Sequence, residues 1–436
     1  MTPGARLQSA IELLDTLDGD GRPADRTLRA WFRARRYAGS KDRRAISGRV
    51  YTIIRGRARL DWWCARHFGA GEVGNRARII ASLVLVDGLD PAAVAAQFDG
   101  GTHRPAPLSS AEQALITPLA GQTLDNDGQP AAVQGEFPDW LGESLHKAFG
   151  GMMVAELQAL NRPAPLDLRV NLVKGGREAA LEALAAAGIA AAPSPLSPVG
   201  LRIENNRRID DSAPFRGGLV EVQDEGSQIV AAMTDAGPGM VVIDYCAGAG
   251  GKTLSLAANM AGAGRLVACD TEAGRLANMM PRLHRAGAAE FVEVRELGGD
   301  DAMTDLVGKA DRVLVDVPCS TSGAWRRDPA SKWRLTRDRL DGYIAAQRAI
   351  LAQAVGLVRP GGRLVYATCS VLPEENEDQA AWFLDRHGEF TPVPIAQIWH
   401  RVIGPACPAD GPYLCLSPAR NGTDGYFVAV FQRATA

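Results

Sequence analysis

From about residue 224 onward the chain alternates short apolar runs with amphipathic stretches, and this limits its fold more than any other feature. Strands are expected at Met240–Ile243, Arg265–Cys269, Phe291–Arg295, Arg312–Val315 and Arg363–Thr368, with helices between several of them. Strands that alternate with helices pair in parallel, and the crossover helices cover both faces of the sheet. The expectation is therefore an α/β domain over 221–436 with a mostly parallel sheet. The last apolar run, Tyr426–Phe431, is reached through a loop rather than a long helix, which predicts an antiparallel strand at the sheet edge. Ligands of such sheets lie beyond the carboxyl ends of the strands, so the residues that close each strand are the candidates for chemistry.

The preceding chain reads differently. Leu7, Ile11, Leu14 and Leu17 recur at helical spacing, as do Ile46, Val50, Ile53 and Ile54, so an all-α domain is expected over 1–125. Residues 121–137 read as a linker. A small α+β module is expected over 138–220. It comprises a helical stretch Trp140–Leu160, a strand Leu166–Val173, a helix Glu178–Ala187 and short strands near Leu201–Ile203 and Leu219–Val222. Three domains suit a length of 436 residues.

Charge matters through its placement. The whole chain carries a formal −2, but residues 1–60 hold fourteen Arg and Lys against six Asp and Glu, a local +8. Such a cluster fits either a solvated helical face or a polyanion-binding surface. No run approaches the roughly 18 apolar residues of a membrane span, and the first twenty residues show no signal-peptide pattern. A cytoplasmic, monomeric protein without membrane contact is expected. Seven cysteines, odd in number and without a CxxC pair or a Cys/His cluster, predict neither a disulfide framework nor a metal site.

The strand Met240–Ile243 runs into Asp244-Tyr-Cys-Ala-Gly-Ala-Gly-Gly-Lys-Thr253. Three glycines let the backbone turn tightly and approach a ligand at an open helix N-terminus. A phosphate loop would need glycine where Cys246 stands, and a nicotinamide fingerprint would need it at Thr253. A nucleoside cofactor remains, with Cys246, Ala247, Gly248, Ala249, Gly250, Gly251 and Lys252 against its amino-acid end. Asp270, closing the next strand, is placed to accept from both ribose hydroxyls. Glu296 closes the third and is the candidate near the adenine, with Asp300 and Asp301 as competitors.

Two further strands end in cysteine-bearing segments, Asp316-Val-Pro-Cys319-Ser and Thr368-Cys369-Ser370. Buried strand cysteines are usually small core residues, but two sharing one rim with a cofactor loop suggest chemistry. A thiolate that adds to C6 of a cytosine turns C5 into an enamine-like carbon able to attack a sulfonium methyl. The reaction needs a nucleophilic cysteine, a group that assists release and a partner at the N3 edge of a base drawn out of its stack. Cys369, Cys319 and Asp316 can fill these roles, although spacing leaves open which cysteine attacks.

Here the loop, the Asp-x-Pro-Cys-Ser segment and the Thr-Cys-Ser segment resemble the motifs of the Sun/Fmu (RsmB-like) family of RNA cytosine-5 methyltransferases. Similar stretches are Val222-Gln-Asp-Glu-Gly-Ser-Gln228, Arg326-Arg-Asp-Pro-Ala-Ser-Lys-Trp333, Leu372-Pro-Glu-Glu-Asn376 and Asp424-Gly-Tyr-Phe427. The resemblance implies a Rossmann-like class I methyltransferase domain using S-adenosyl-L-methionine, with Cys369 as nucleophile, Cys319 assisting release, and Asp316 in both the catalytic and the cofactor site. It further implies a NusB-like helical RNA-binding domain at the amino terminus, an RNA-recognition-like middle module, and small-subunit ribosomal RNA as substrate. Two departures stand out: Gly248-Ala249 replaces the family's usual Ala-Pro, and Ser320-Thr-Ser322 replaces Ser-Gly-Thr. In the basic, Trp-flanked segment Trp325–Arg339, Arg326, Arg327 and Lys332 are candidates for RNA contact. The competing readings are a transfer RNA substrate, a nucleotide hydrolase suggested by Gly251-Lys-Thr253, and a non-catalytic RNA assembly factor.

Overall fold

The structure, a computed structural model, describes residues 1–68, 73–204, 208–298 and 302–435. These form two compact units, one of residues 1–162 with 325–335, the other of 163–324 with 336–436.

The first unit is helical. Pro3–Gly19, Ala24–Ala34, Ser40–Arg55, Arg57–Phe68, Asn75–Leu85 and Ser110–Leu119 pack around a shared core. Ile46, Val50 and Ile53, spaced one helical turn apart, are at most 1% exposed in it. Ser109 and Glu112 form a reciprocal capping box that starts the last of these helices.

The stretch expected as a linker is ordered instead. Gln129 is buried and donates to the Leu124 carbonyl at 2.9 Å. A short helix, Ala131–Gly135, leads to Glu136, which is 1% exposed. The Glu136 carboxylate accepts from the Ala58 and Arg59 amides at 2.8 and 3.1 Å. Those are first-turn donors of Arg57–Phe68 that lack a partner within their own helix. The helices Gly142–Phe149 and Met153–Asn161, expected in the small module, also belong to this unit. Asn161 ties them in by donating to the Arg55 carbonyl at 2.6 Å.

The second unit carries two sheets. The smaller is antiparallel, in the order β2-β3-β1-β4, built from β1 (Leu166–Val170), β2 (Ala191–Pro193), β3 (Gly200–Ile203) and β4 (Val220–Val222). The helix Arg177–Ala186 covers it, packing Ala180 and Leu184 against Leu168, Val170, Leu201 and Val220.

The larger sheet comprises β5 (Val241–Asp244), β6 (Arg265–Asp270), β7 (Val292–Glu296), β8 (Ala310–Asp316), β9 (Val358–Thr368), β10 (Phe390–Pro392), β11 (Leu414–Leu416) and β12 (Tyr426–Arg433). Its order is β10-β12-β9-β8-β5-β6-β7, with β11 also paired to β12. Strands β5 to β9 pair in parallel. Both faces are covered: Val242, Leu266, Leu314 and Val365 lie in one buried cluster, and Ile243, Val267, Val313 and Leu364 in the other. As expected, β12 runs antiparallel to β9, but it is not the edge, because β10 and β11 flank it. The chain leaves β5 toward β6 and later returns to its other side as β8. That reversal opens a crevice at the carboxyl ends of β5 and β8.

Candidate active site

The glycine loop fills this crevice. Gly248 and Gly250 adopt φ of +55° and +82°, a left-handed geometry that glycine enters without a Cβ clash. A Cβ on Gly250 would lie 2.4 Å from Met279 Cγ, so the loop sits directly on the helix Ala273–Ala286. A Cβ on Gly248 would meet nothing within 4 Å, which leaves that side of the loop open. Gly251 begins the helix Gly251–Met260, whose first amides point into the same opening.

Asp270, at the end of β6, is 6% exposed. Its carboxylate accepts from the Gly248 amide and from the Glu272 amide, each at 2.9 Å. It therefore fixes the loop while each oxygen keeps lone-pair capacity for a further donor. Glu296 pairs in register with Asp270 on β7 and is exposed. Asp300 and Asp301 lie outside the described residues. Under the loop, Asp244 is buried and accepts from Thr253 Oγ1 at 2.7 Å, while its Oδ1 has no partner. Burial pushes this carboxyl up to about 7, against the lowering by the Thr253 bond. Burial likewise raises Cys246 well above the usual thiol range, with the neighbouring carboxylates acting in the same direction.

Lys252 points back across the crevice and donates to Asp316 Oδ2 at 2.6 Å. Burial acts to lower its pKa, but the charge and hydrogen bond of Asp316 outweigh that and leave it raised. Lys252 therefore stays charged and holds the Asp316 side chain at the end of β8.

The register of β8 and β9 sets Asp316 beside Ala367, two residues before Cys369. The turns that follow bring Cys319 Sγ and Cys369 Sγ to 3.4 Å. Both are free thiols. Cys319 is 6% exposed, whereas Cys369 is half-buried. The hydrogen bond with Cys369, reinforced by burial, raises the Cys319 thiol well above its ordinary value, so Cys319 remains protonated near neutral pH. The Thr321 backbone amide also bonds Cys319, and Thr321 reaches that position at φ +56°, in the left-handed region.

A buried polar cluster clamps the two cysteine turns. Glu375 is fully buried and accepts from the Ser320 amide at 2.8 Å, from Ser320 Oγ and from Gln347 Nε2 at 3.0 Å. Ser322 Oγ meets Ser370 Oγ at 2.9 Å, and Thr368 Oγ1 donates to Asn376 Oδ1 at 2.6 Å. Gly323 donates to the Cys369 carbonyl at 2.9 Å. A Cβ there would fall 2.2 Å from the Gly425 carbonyl oxygen, so the Asp424-Gly segment packs backbone to backbone against the site. Glu375, Gln347, Ser320, Ser322, Ser370 and Asn376 were not assigned roles from sequence. The cysteine segments pointed to Ser320, Ser322 and Ser370, and the Leu372-Pro-Glu-Glu-Asn376 stretch to Glu375 and Asn376, but nothing pointed to Gln347.

The crevice thus unites Cys369, Cys319, Asp316, Lys252, Asp270 and the loop from Cys246 to Gly251. The basic segment offers a different environment. Lys332 is 1% exposed and donates to Asn161 Oδ1 at 2.9 Å; Arg326 is 5% exposed. Lys332 is held within the helical unit, beside Asn161 and Glu136, and Arg55 donates to the Arg326 carbonyl at 2.8 Å in the same unit. Arg327 is exposed. Among the described residues, no group of three or more His, Cys, Asp or Glu could hold a metal ion, and no helix is long and apolar enough to cross a membrane.

Comparison with known proteins agrees with this geometry. The family model for 16S rRNA methyltransferase RsmB/F matches residues 232–432, and the model for the RsmF/B-like ferredoxin-like domain matches 137–210. The chain is 30% identical to the ribosomal RNA small subunit methyltransferase B of Erwinia tasmaniensis, over 91% of this chain and 92% of that protein. Against the protein of the same name from Xylella fastidiosa the identity is 33%, over 79% and 83%. Among solved structures, that of PH0851 superimposes with a TM-score of 0.76 at 25% identity, covering 99% of both chains. The structure of NSun6 from Pyrococcus horikoshii with SFG shares the fold, with a TM-score of 0.60 at 20% identity over 69% of this chain and 99% of that one. A parallel sheet ending in this loop and this cysteine pair, joined to a ferredoxin-like module, places the chain in the RsmB/F family of RNA methyltransferases.

Proposed function

We propose that this protein transfers a methyl group from S-adenosyl-L-methionine to C5 of a cytosine in small-subunit ribosomal RNA through a covalent Cys369 adduct. The observation that carries the reading is the 3.4 Å approach of Cys369 and Cys319 beside the Lys252–Asp316 pair, on the rim of the glycine loop. The substrate class follows the names of the relatives, which are ribosomal RNA small subunit methyltransferases.

The residues present fit the cofactor. Open space at Gly248, the N-terminus of Gly251–Met260 and the strand-end Asp270 suit an amino-acid carboxylate and a ribose, and the NSun6 structure that shares this fold was solved with SFG. Ala247, Ala249 and Cys246 would shape the loop around it, and Glu296 is the candidate at the adenine. When bound, S-adenosyl-L-methionine supplies an electrophilic methyl carried on a sulfonium.

The protein's own groups do the rest. The Cys369 sulfur, 3.4 Å from the Cys319 sulfur, adds to C6 as a thiolate and breaks the ring's aromaticity. Asp316 and Lys252 lie at the N3 edge, where the Lys252 ammonium offsets the displaced electron density that collects there. C5 becomes nucleophilic and takes the methyl. Loss of the C5 proton to water restores the C5–C6 double bond and expels the Cys369 sulfur as a thiolate, a release that the protonated Cys319 assists by donating to that sulfur.

RNA recognition by the helical unit has a physical basis. A groove of about 620 Å³ is lined by Leu28, Arg29, Phe32, Arg33, Arg36 and Arg43 and neighbouring residues. Arg29, Arg33 and Arg36 are exposed, which suits RNA phosphates. Arg43 lies over the Phe32 ring at 5.7 Å.

The test is nucleoside analysis of ribosomal and transfer RNA from cells lacking the gene, after incubation with the protein and labelled S-adenosyl-L-methionine. Label in 5-methylcytidine of small-subunit ribosomal RNA is expected. Label only in transfer RNA would keep the chemistry and overturn the substrate, and no label would overturn both. The cysteine roles separate on denaturing gels. Cys369→Ala should form no RNA adduct, whereas Cys319→Ala should trap one; the opposite pattern would reverse the assignment.

A further inference from the structure

The glycine loop departs from the family's usual sequence at Gly248-Ala249, where Ala-Pro is expected, so it loses the residue that restricts backbone freedom most. Two of its remaining residues, Gly248 and Gly250, sit at positive φ. A loop of this composition has more conformational freedom to lose when it orders around a ligand. Something else must hold its shape.

One side is held by Asp270, through the Gly248 amide. The other is held by Arg282. Its Nη1 donates to the Ala249 carbonyl at 2.5 Å. Arg282 lies three residues after Met279, on the same face of Ala273–Ala286, and Met279 is the side chain on which Gly250 rests. The loop therefore has an apolar floor and a charged clasp from a single helix.

The same guanidinium reaches the other sheet. Arg282 Nη2 lies 3.4 Å from Glu221 Oε1, and Glu221, on β4, also accepts from Arg285 Nη2 at 2.5 Å. Glu221 is 8% exposed. Behind it, Arg169 on β1 is buried and donates to Gln223 Oε1 at 2.7 Å; burial lowers it to about 10, against the raising effect of Glu221. The end of the same helix is gripped from the small sheet as well. Lys174 Nζ donates to the Arg285 carbonyl at 2.8 Å, and Asn171 Nδ2 to the Ala286 carbonyl at 2.9 Å. A Cβ on Gly218 would lie 1.9 Å from that same Arg285 oxygen, so the contact is backbone-close.

We infer that Arg282 is a positioning residue for S-adenosyl-L-methionine: it pins the Ala249 carbonyl in place of the absent proline and, through Glu221, ties the cofactor loop to the four-stranded sheet. Because one element carries both links, a shift of the small sheet on its ligand moves the clasp of the cofactor loop. This rests on the assignment of the loop to that cofactor.

The experiment compares wild type, Arg282→Ala, and Arg282→Ala combined with Ala249→Pro. Binding of S-adenosyl-L-homocysteine is measured by calorimetry, and hydrogen exchange of the 247–251 amides without ligand. In Arg282→Ala the dissociation constant should rise about tenfold, the scale of one charge-assisted hydrogen bond. The loop amides should exchange faster, with RNA affinity unchanged. Adding Ala249→Pro should restore both, which a loss of general stability would not allow. If Arg282→Ala leaves affinity and exchange as in wild type, or if the proline fails to rescue a folded variant, the inference is overturned. If wild type itself binds no ligand, the cofactor assignment fails instead.

Discussion

Thr321 shows how a single residue can be strained for the sake of its neighbour. Its left-handed backbone aims its amide at Cys319, and it occupies the position where the family usually has glycine. For a β-branched residue this conformation costs about 1–2 kcal/mol; glycine relieves that cost, but the greater backbone freedom it loses on folding offsets part of the gain. Thr321→Gly should therefore raise the thermal midpoint by a degree or two and leave methylation intact, since the amide keeps its direction. A lowered midpoint in a denaturation scan would show that the threonine side chain contributes more than its backbone loses. The cysteines themselves were legible in the sequence because strand ends in a parallel sheet are where chemistry collects. Glu375 was not. Its partners Ser320, Gln347 and Ser370 come from separate segments, and nothing local marks a glutamate as buried.

At the scale of elements, most of the parallel strands were readable from a core of consecutive apolar residues, as in Val241–Ile243, 266–269, 313–315 and 364–367, while β7 alternates apolar and charged residues. Of the three-residue strands, β4 was expected, whereas β2, β10 and β11 went unseen and are fixed by their partners β3 and β12. The burial of Lys332 was hidden for a related reason. The charges of its segment look solvated in sequence, yet the fold buries Lys332 beside Glu136 and Asn161. Burial lowers the lysine from 10.5 to about 7, against the raising effect of Glu136. Between those pH values the unfolded chain holds the proton more firmly than the folded one, so this group adds stability as pH rises from about 7 toward 10. Lys332→Met should remove that rise in urea-unfolding curves taken across the window. It should leave the affinity for RNA and its salt dependence unchanged, because the ammonium is not presented to solvent. A clear fall in RNA affinity in a folded Lys332→Met protein would return the residue to the RNA surface.

Taken as a whole, the molecule is nearly neutral but its charge is sorted, with the +8 of residues 1–60 set against −10 elsewhere. The sorting was visible in sequence; which arginines share a surface was not, since Arg29, Arg33 and Arg36 converge with Arg43 only once the helices Ala24–Ala34 and Ser40–Arg55 pack. Replacing Arg29, Arg33 and Arg36 together by alanine should weaken RNA binding across sequences. It should also lower the salt dependence by roughly two, the effect of three lost contacts to single-stranded phosphates. An unchanged salt slope in a folded triple variant would move the RNA path off this groove.

The helical unit also takes its last eleven residues, 325–335, from far down the chain, and Trp325 and Lys332 among them are buried. During synthesis its first 162 residues must wait until residue 335 has left the ribosome before their packing can close. At typical elongation rates that delay is roughly ten to thirty seconds. The unit cannot be grafted onto another protein as a simple amino-terminal piece, and no single proteolytic cut separates it, because the chain passes from one unit to the other three times.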